Sequence, residues 1–256
     1  MNLGLEGRRA LVTGGSKGLG FAIARELVNE GVRVAICSRN EEEVLAAAEE
    51  LGVAHAQAAD VTDPEQVSDL VARSAEELGG IDFLVNNAGG AHPGNFETLT
   101  DENWVADLDV KLFSLIRCSR EVLPHMRAAG GGRIVNIGSV YSRYPDPTFF
   151  ATSVNRAAGN SFTKTLALEV AKDNVLVNCV NIGFVTTPQW DNIHQRRAPE
   201  LPREEFFDTL AAQEVPLGRF GTPDEVSGLV AFLLSDQAGY ITGASIDVAG
   251  GMGRYV

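Results

Sequence analysis

The chain has 256 residues, enough for a single α/β domain with a sizeable buried core. Hydrophobic residues make up 45% and charged residues 21%, an ordinary balance for a globular protein. The formal net charge of −13 argues against nucleic acid or an anionic membrane surface as a partner.

The cysteines and the apolar runs indicate in which cellular compartment the protein is expected. Cys37, Cys118 and Cys179 are scattered, with no pair at metal-ligand spacing, so buried free thiols and no metal site are expected. The sequence shows neither a signal peptide nor an apolar run approaching the length of about 18 residues that a membrane span requires. These features predict a cytoplasmic protein that does not cross a membrane.

Short, β-branched apolar runs alternate along the chain with segments of helical periodicity. The strand candidates are RRALVTG, VRVAICS, VAHAQAAD, IDFLVNNAG, GRIVNIGS, VLVNCVNIG and ASIDVAGG, and the helix candidates are Leu19–Glu30, Glu41–Leu51, Pro64–Leu78, Asp101–Ala129, Ala151–Lys172 and Pro223–Leu234. The strands are almost continuously hydrophobic, as strands buried on both faces are. The alternation predicts one doubly wound α/β (Rossmann) domain over residues 1–256, with a parallel sheet of seven strands.

The alternation breaks over residues 187–214, TPQWDNIHQRRAPELPREEFFDTLAAQE, where prolines, charges and aromatic residues mix. A long irregular insertion in a compact domain usually has a function, so we expect a lid here. Its Trp190, Phe206 and Phe207 offer apolar contact area to a substrate.

The same segment holds the densest basic cluster of the acidic chain, HQRR, which comprises His194, Arg196 and Arg197. Because arginine suits bidentate recognition of carboxylate or phosphate, the cluster predicts an anionic small-molecule substrate. The candidates are an oxo compound with a carboxylate, or its thioester on a phosphorylated carrier such as coenzyme A. Alternatively, the arginines pair with the lid carboxylates Glu200, Glu204 and Glu205.

A glycine-rich turn follows the first strand and precedes the first helix, in ALVTGGSKGLGFAIAREL. Gly14, Gly18 and Gly20 permit a tight turn and a close approach of backbone to a pyrophosphate, which the helix N-terminus attracts. The strand–turn–helix context therefore predicts a nucleotide site.

The end of the second strand, AICSRN, bears on which nucleotide binds. NAD sites of this architecture usually place a carboxylate there to bind the ribose 2′-hydroxyl. This chain has Ser38 and Arg39 instead, with Lys17 in the glycine turn, and these cations suit a 2′-phosphate. We expect NADP(H) to be preferred, with NAD(H) possible; in the alternative reading Arg39 merely lies at a helix start.

Over essentially its whole length the chain resembles the short-chain dehydrogenase/reductase family. The resemblance rests on TGGSKGLG, ADVTD, NNAG, GRIVNIGS, NIGFVTTP and the C-terminal run from Gly218 to Gly251, all in the family's order and spacing. It implies the following cofactor-binding residues: Gly14, Ser16, Lys17, Gly18, Leu19, Gly20, Ser38, Arg39, Asp60, Val61, Asn87, Ala88, Gly89, Arg156, Val185 and Thr187.

The catalytic positions depart from the family. Ser139 matches the catalytic serine, but Thr152 stands at the position of the tyrosine that acts as general acid and base. Arg156 replaces the usual lysine, and Lys111 replaces the asparagine of the water relay. Ile182 also stands where the family usually has proline.

These replacements change what the site can do with a proton. A threonine hydroxyl is a far weaker acid than a phenol of pKa about 10, and an arginine of pKa above about 12 binds the ribose but passes no proton. Tyr141 is a candidate for a relocated acid, the alternative being an aromatic wall of the pocket. Lys111 is another candidate donor if it is desolvated, the alternative being a solvated surface lysine.

Three functions are consistent with this pattern. The first is an NADP(H)-dependent reductase or dehydrogenase acting on a carbonyl or alcohol with a non-standard proton donor. The second is a lyase or dehydratase-type enzyme, and the third a non-catalytic subunit of a hetero-oligomer, which the intact nucleotide turn argues against. The family resemblance also implies a homotetramer or homodimer that packs through the C-terminal strand region and the helices predicted at Asp101–Ala129 and Ala151–Lys172.

Overall fold

The seven predicted strands form one parallel sheet in a computed structural model of the chain, which describes residues 2–90 and 92–253. Residues 1, 91 and 254–256, which fall within the predicted domain, lie outside the described residues. The strand order is β3-β2-β1-β4-β5-β6-β7. The strands are β1 Arg9–Thr13, β2 Arg33–Ser38, β3 His55–Ala58, β4 Phe83–Asn86, β5 Gly132–Ser139, β6 Val175–Ile182 and β7 Ser245–Val248.

Helices cover both faces of this sheet. They are α1 Gly18–Asn29, α2 Glu41–Leu51, α3 Pro64–Leu78, α4 Asp101–Leu108, α5 Ser114–Ala128, α6 Phe150–Val170, α7 Pro188–Arg197, α8 Arg203–Glu214 and α9 Pro223–Leu234. On one face, Val12 and Ile36 pack in a buried cluster with side chains of α1, α2 and α9. On the other, Leu11 and Leu84 pack with side chains of α3, α5 and α6. The prediction of a doubly wound α/β domain with seven parallel strands is confirmed.

The helix bounds follow local capping signals. The Asp63 carboxylate accepts hydrogen bonds from backbone N–H groups at the start of α3, and Gly79 ends that helix with φ +78°. Asn40 and Gly52 bound α2 in the same way. These signals explain why both helices begin and end where the sequence predicts.

The helix predicted over Asp101–Ala129 is confirmed as unbroken helical backbone from Asp101 to Ala128, but it is not α-helical throughout. A π-helical turn, Asp109–Phe113, separates α4 from α5. Such a turn inserts one extra residue into a helix and often lies at a functional site. Here it carries Lys111.

Residues 187–214 are also more regular than predicted, because they form the two helices α7 and α8. Their aromatic side chains make a third buried cluster, in which the Phe184 and Trp190 ring centroids lie 4.5 Å apart. Phe206 and Phe207 are each 7% exposed and belong to this cluster, so they stabilise the helix pair instead of facing a substrate.

Two further expectations concern thiols and membranes. Cys37, Cys118 and Cys179 are free and buried, as predicted. Within the described part of the chain, no helix has the length and apolar character to span a membrane.

Candidate active site

A cleft of about 1000 Å³ opens at the carboxyl edge of the sheet, between the turns that follow β1 and β4. This is the point where the strand order reverses, which in open α/β sheets is the usual place for a ligand. All sixteen residues predicted to bind the cofactor line it, as do the five predicted catalytic residues Lys111, Ser139, Tyr141, Thr152 and Arg156. The structure therefore brings the whole predicted set to one place.

The glycine turn leaves room that side chains would fill. Gly14 and Gly18 have φ of +66° and +58°, a conformation that favours glycine. A Cβ added at Gly20 would lie 2.1 Å from the Gly14 carbonyl oxygen, so only glycine allows α1 to approach this closely. The Asn87 amide holds the turn by donating to the carbonyl oxygens of Thr13 and Gly14 at 3.0 and 3.1 Å. This cradle at a helix N-terminus fits a dinucleotide pyrophosphate.

The far end of the cleft carries the predicted 2′-phosphate site. Arg39 is exposed and makes no ion pair with any described residue. Lys17 differs, because its Nζ lies 2.9 Å from a carboxylate oxygen of Glu43, a residue that the sequence analysis missed. The Asp60 carboxylate accepts hydrogen bonds from the backbone and hydroxyl of Thr62. Arg39 is thus the better placed of the two predicted cations.

The opposite end of the cleft holds a buried lysine. Lys111 is 1% exposed, and its Nζ donates to Thr152 Oγ1 at 2.6 Å and to the carboxylate of Asp107. The alternative of a solvated surface lysine is therefore wrong. Thr152, 7% exposed, holds its hydroxyl between this ammonium and the cleft.

The surroundings of Lys111 make it a better acid than a surface lysine. Burial, with the nearby charge of Arg156, lowers the pKa of Lys111 to about 8, although Asp107 acts in the opposite direction. A general acid works best when its pKa lies near the working pH. Lys111 thus has the acidity that the Thr152 hydroxyl lacks.

Asp107 is fully buried beneath Lys111 and was not singled out from the sequence. Its carboxylate accepts from His92 Nδ1 at 2.7 Å, from Asn155 Nδ2 at 2.8 Å and from Lys111. Desolvation raises the pKa of Asp107, but the hydrogen bond from His92 and the charge of Lys111 outweigh it, so the net shift is downwards. The spacing of four residues between Asp107 and Lys111 is the signal that was available in the sequence.

Arg156 approaches the cleft from α6. Its Nη1 donates to the Ile137 carbonyl oxygen at 2.7 Å, while its Nε is buried without a partner. Its Nη2 lies 2.9 Å from the point where a Cβ on Gly89 would be, so glycine leaves the guanidinium its room. Unsatisfied donors beside the cleft fit ribose hydroxyl oxygens as acceptors.

Ser139 and Tyr141 lie on the wall opposite Arg39. Ser139 ends β5, and its Oγ accepts from the backbone N–H of Tyr141 at 3.3 Å, so its own proton is available to the cleft. The Tyr141 ring stacks on Phe149 with centroids 5.3 Å apart. Burial, with the charges of Asp146 and Glu214, raises the pKa of Tyr141 well above its usual range, which disfavours it as an acid near neutrality.

The basic residues of α7 fall into two groups. Arg196 and Arg197 are exposed, line the cleft and make no ion pair with any described residue, and the Arg197 guanidinium lies 5.3 Å from the Phe149 ring centroid. The predicted alternative of pairing with the lid glutamates is therefore absent from the described residues. His194 was expected to belong to this basic cluster, but it is 4% exposed and bonds the Leu201 carbonyl oxygen. Within residues 2–90 and 92–253, no three His, Cys, Asp or Glu side chains are grouped to hold a metal ion.

A doubly wound sheet with a glycine cradle at its switch point defines the class of dinucleotide-binding proteins. A sequence model of the family described as enoyl-(acyl carrier protein) reductase matches residues 14–253. The chain is 38% identical over 251 residues to the 3-oxoacyl-(acyl-carrier-protein) reductase FabG of Vibrio cholerae, covering 98% of this chain and 99% of that protein. The chain belongs to the short-chain dehydrogenase/reductase family.

Solved structures agree with this assignment. L-Sorbose reductase from Gluconobacter frateurii, in complex with NADPH and L-sorbose, superimposes with a TM-score of 0.95 at 33% identity over 100% of both chains. A short-chain oxidoreductase from Pseudomonas aeruginosa PAO1, described as NADPH-bound and as containing an atypical catalytic center, superimposes with a TM-score of 0.90 at 35% identity over 97% of this chain and 98% of that one.

Proposed function

We propose that this protein reduces the carbonyl group of a small molecule with NADPH, and that Lys111, acting through the Thr152 hydroxyl, supplies the proton. The family assignment makes the chain an NAD(P)-dependent oxidoreductase acting on carbonyl compounds. A preference for NADP(H) agrees with the NADPH complexes of both solved relatives and with the absence of a carboxylate at the end of β2. The hydrogen bond between Lys111 and Thr152 is the observation that carries the proton donor.

Different residues along the cleft would bind different parts of the cofactor. The backbone of Gly14 to Gly20 and the N-terminus of α1 would hold the pyrophosphate, and Arg39 the 2′-phosphate. Arg156 would hold the nicotinamide ribose, with Val185 and Thr187 beside the nicotinamide. When bound, the reduced nicotinamide supplies a hydride to the carbonyl carbon.

Proton delivery follows from the contacts of Thr152. Ser139 donates a hydrogen bond to the carbonyl oxygen, which stabilises the negative charge that develops there. As Thr152 gives its hydroxyl proton to that oxygen, Lys111 Nζ replaces the proton across the 2.6 Å contact. Arg156 stays charged throughout, because a guanidinium does not release its proton in proteins, even where burial lowers its pKa as it does here. Lys111 and Thr152 together thus replace the tyrosine that acts as general acid in the family.

Replacing Lys111 tests this function. Lys111→Met should lower kcat for carbonyl reduction by about 10²–10⁴-fold, the usual contribution of one positioned acid. The matched control is Lys172→Met, which removes an exposed lysine far from the cleft. NADPH binding by fluorescence should be unchanged in both variants, which verifies the fold. A Lys111→Met protein that binds NADPH and reduces ketones at the normal rate contradicts the proposal.

The lid arginines support a substrate with an anionic group. Arg196 and Arg197 reach the cleft without a described carboxylate partner, in a protein whose net charge is −13. An oxo compound bearing a carboxylate, or its thioester on a phosphorylated carrier, would place its anionic group between them while Phe149 contacts its apolar part.

The double variant Arg196→Ala/Arg197→Ala examines this substrate class. Its KM for an oxo acid should rise in a salt-dependent way while its NADPH affinity is kept. Arg120→Ala, which removes an exposed arginine on α5, serves as the control. If the double variant handles the oxo acid and its uncharged analogue like the wild type, the arginines have only a structural role.

A closed homodimer or homotetramer is also proposed. Val154 and Leu168 lie on the same outer face of α6 and are 49% and 72% exposed, with Phe113 42% exposed on the neighbouring π turn. Covering such side chains is a usual reason for symmetric assembly. Light scattering should show a dimer or tetramer, and Leu168→Glu should shift it towards monomer. A wild-type protein that is monomeric at micromolar concentration contradicts this.

A further inference from the structure

Lys111 lies at the inner end of a chain of polar side chains. Asp107 Oδ1 contacts both Lys111 Nζ and His92 Nδ1, the latter at 2.7 Å. The Lys111 and Asp107 side chains are 1% and 0% exposed, whereas the His92 side chain is 46% exposed. His92 also lines the cleft, so the chain leads from Thr152, through two buried groups, to a half-exposed imidazole at the cleft wall.

A buried acid must regain its proton after each turnover. Thr152 faces the cleft, where a substrate would displace water, and Arg156 holds its own protons too tightly to pass one on. The other polar contact of the Lys111 ammonium is with Asp107. The route that remains leads through Asp107 to His92, and histidine is the side chain that most readily exchanges protons with water near neutral pH.

We infer that His92 and Asp107 return the proton to Lys111 from solvent, so that they act as proton-relay residues of the reductase. This inference rests on the proposed function, since it assumes that Lys111 is the acid. His92 lines the cleft, but in this scheme neither His92 nor Asp107 passes a proton to the carbonyl directly. They act through Lys111 alone.

Each turnover moves one proton from solvent to the carbonyl oxygen along this chain of side chains. Lys111 Nζ passes one proton to Thr152 Oγ1 and is left as a neutral amine. The His92 imidazolium passes its Nδ1 proton to Asp107 Oδ1, which passes that proton to Lys111 Nζ and is a carboxylate again. His92 keeps its other proton on Nε2, and Nδ1 takes a new proton from water when the half-exposed ring rotates away from Asp107, which restores the imidazolium. The net reaction consumes one carbonyl, one hydride from the reduced nicotinamide and one proton from solvent.

Asn155 explains why the buried carboxylate keeps its orientation. Its Nδ2 donates to Asp107 Oδ2 at 2.8 Å, which leaves Oδ1 as the oxygen that faces both His92 and Lys111. When ionised, Asp107 only accepts hydrogen bonds, so His92 must carry a proton on Nδ1 at this contact. The Nδ1 proton of His92 is therefore in place for transfer to the oxygen that also contacts Lys111.

Two variants and one control test the relay by turnover. His92→Ala should lower kcat about tenfold or more, and added imidazole should restore it, because a free imidazole fills the vacant space beside Asp107. Asp107→Asn should also lower kcat, but imidazole should not restore it, since an amide passes no proton. His125→Ala, a histidine on α5 remote from the cleft, should behave like the wild type with or without imidazole. His92→Gln serves as a second variant should the alanine protein be unstable.

A measurement on the protein without cofactor complements turnover. The ring resonances of His92, followed by NMR against pH, should change near pH 8 in the wild type, where the Lys111 ammonium loses its proton. Lys111→Met should abolish that change, and the His125 resonances should lack it in both proteins. If the His92 resonances respond to pH in the same way in the wild type and in Lys111→Met, the proposed proton chain is wrong.

The outcomes separate the two proposals. If Lys111→Met loses activity while His92→Ala turns over normally, or loses activity that imidazole does not restore, the relay is wrong and the proposed reductase function stands. If Lys111→Met itself is fully active, the proposed function falls and the relay with it.

Discussion

The glycine turn after β1 and the corner around Lys111 lie in one cleft, yet they hold their shape by different means. At the turn, the close approach of backbone segments determines the shape, because a Cβ at Gly20 would lie 2.1 Å from the Gly14 carbonyl oxygen. At the corner, side chains from α4, the π turn and α6 meet through hydrogen bonds among buried groups. A backbone cradle accepts few substitutions, whereas a side-chain network can change several members together.

Under the proposed function, that difference accounts for an unusual proton donor at one end of the cleft beside a conventional nucleotide cradle at the other. Replacing a phenol by the Thr152 hydroxyl alone leaves no suitable acid. In the proposed function Lys111 supplies the acid, because burial lowers its pKa to about 8. Under this proposal, Lys111, Thr152 and Arg156 together form one alternative proton-donating site.

The strongest test of this view removes the hydroxyl between Lys111 and the cleft. Thr152→Val keeps the shape of the side chain but cannot relay a proton, so kcat should fall by about 10²-fold while NADPH affinity is unchanged. Thr165→Val, on the exposed face of the same helix, is the control. Near-normal turnover by Thr152→Val would mean that Lys111 protonates the substrate directly.

The next test addresses the cofactor end. Arg39→Asp should weaken NADPH binding by about 10- to 150-fold, since hydrogen bonds to charged groups contribute about 1.5–3 kcal/mol. NADH binding should be kept or improved, and kcat at saturating cofactor should change little. Arg120→Asp introduces the same charge change on α5 and controls for net charge. Equal affinity of the wild type for NADPH and NADH would contradict the assignment of Arg39.

The pH dependence of turnover distinguishes the two ends of the cleft without a mutation. In the proposed function Lys111 gives up a proton during reduction, so kcat for reduction should be steady below a pH of about 8 and then fall about tenfold per unit as the ammonium is lost. Oxidation of the alcohol needs the neutral amine and should rise with pH over the same range. NADPH affinity, set at the other end of the cleft, should show no inflection there. Reduction that keeps its full rate at pH 10 would exclude Lys111 as the acid.

The smallest expected effect concerns Glu43. The ion pair of Lys17 with Glu43 is exposed, and such pairs contribute about 0–1 kcal/mol, so Glu43→Gln should tighten NADPH binding by at most about fivefold. Glu42→Gln removes an equal charge from the neighbouring position and should have no such effect. If both variants tighten binding alike, only the net charge matters and Lys17 does not contact the 2′-phosphate.

The sequence by itself determined the seven strands, most helix bounds and the nucleotide cradle. These features depend on local patterns, namely continuous apolar runs, capping residues such as Asp63, and glycines at fixed spacing. It also identified Lys111, Thr152 and Arg156 as unusual, because each is a single position within a known motif.

Only the tertiary structure decided what these residues do together. Thr152 lies 41 positions from Lys111, and His92 lies 15 from Asp107, so neither contact is visible in a local pattern. The π turn that directs Lys111 inwards and the packing of α4 against α6 remove the ammonium from water. Desolvation then lowers the pKa of Lys111, and desolvation is a property of the packed protein that no stretch of sequence carries alone.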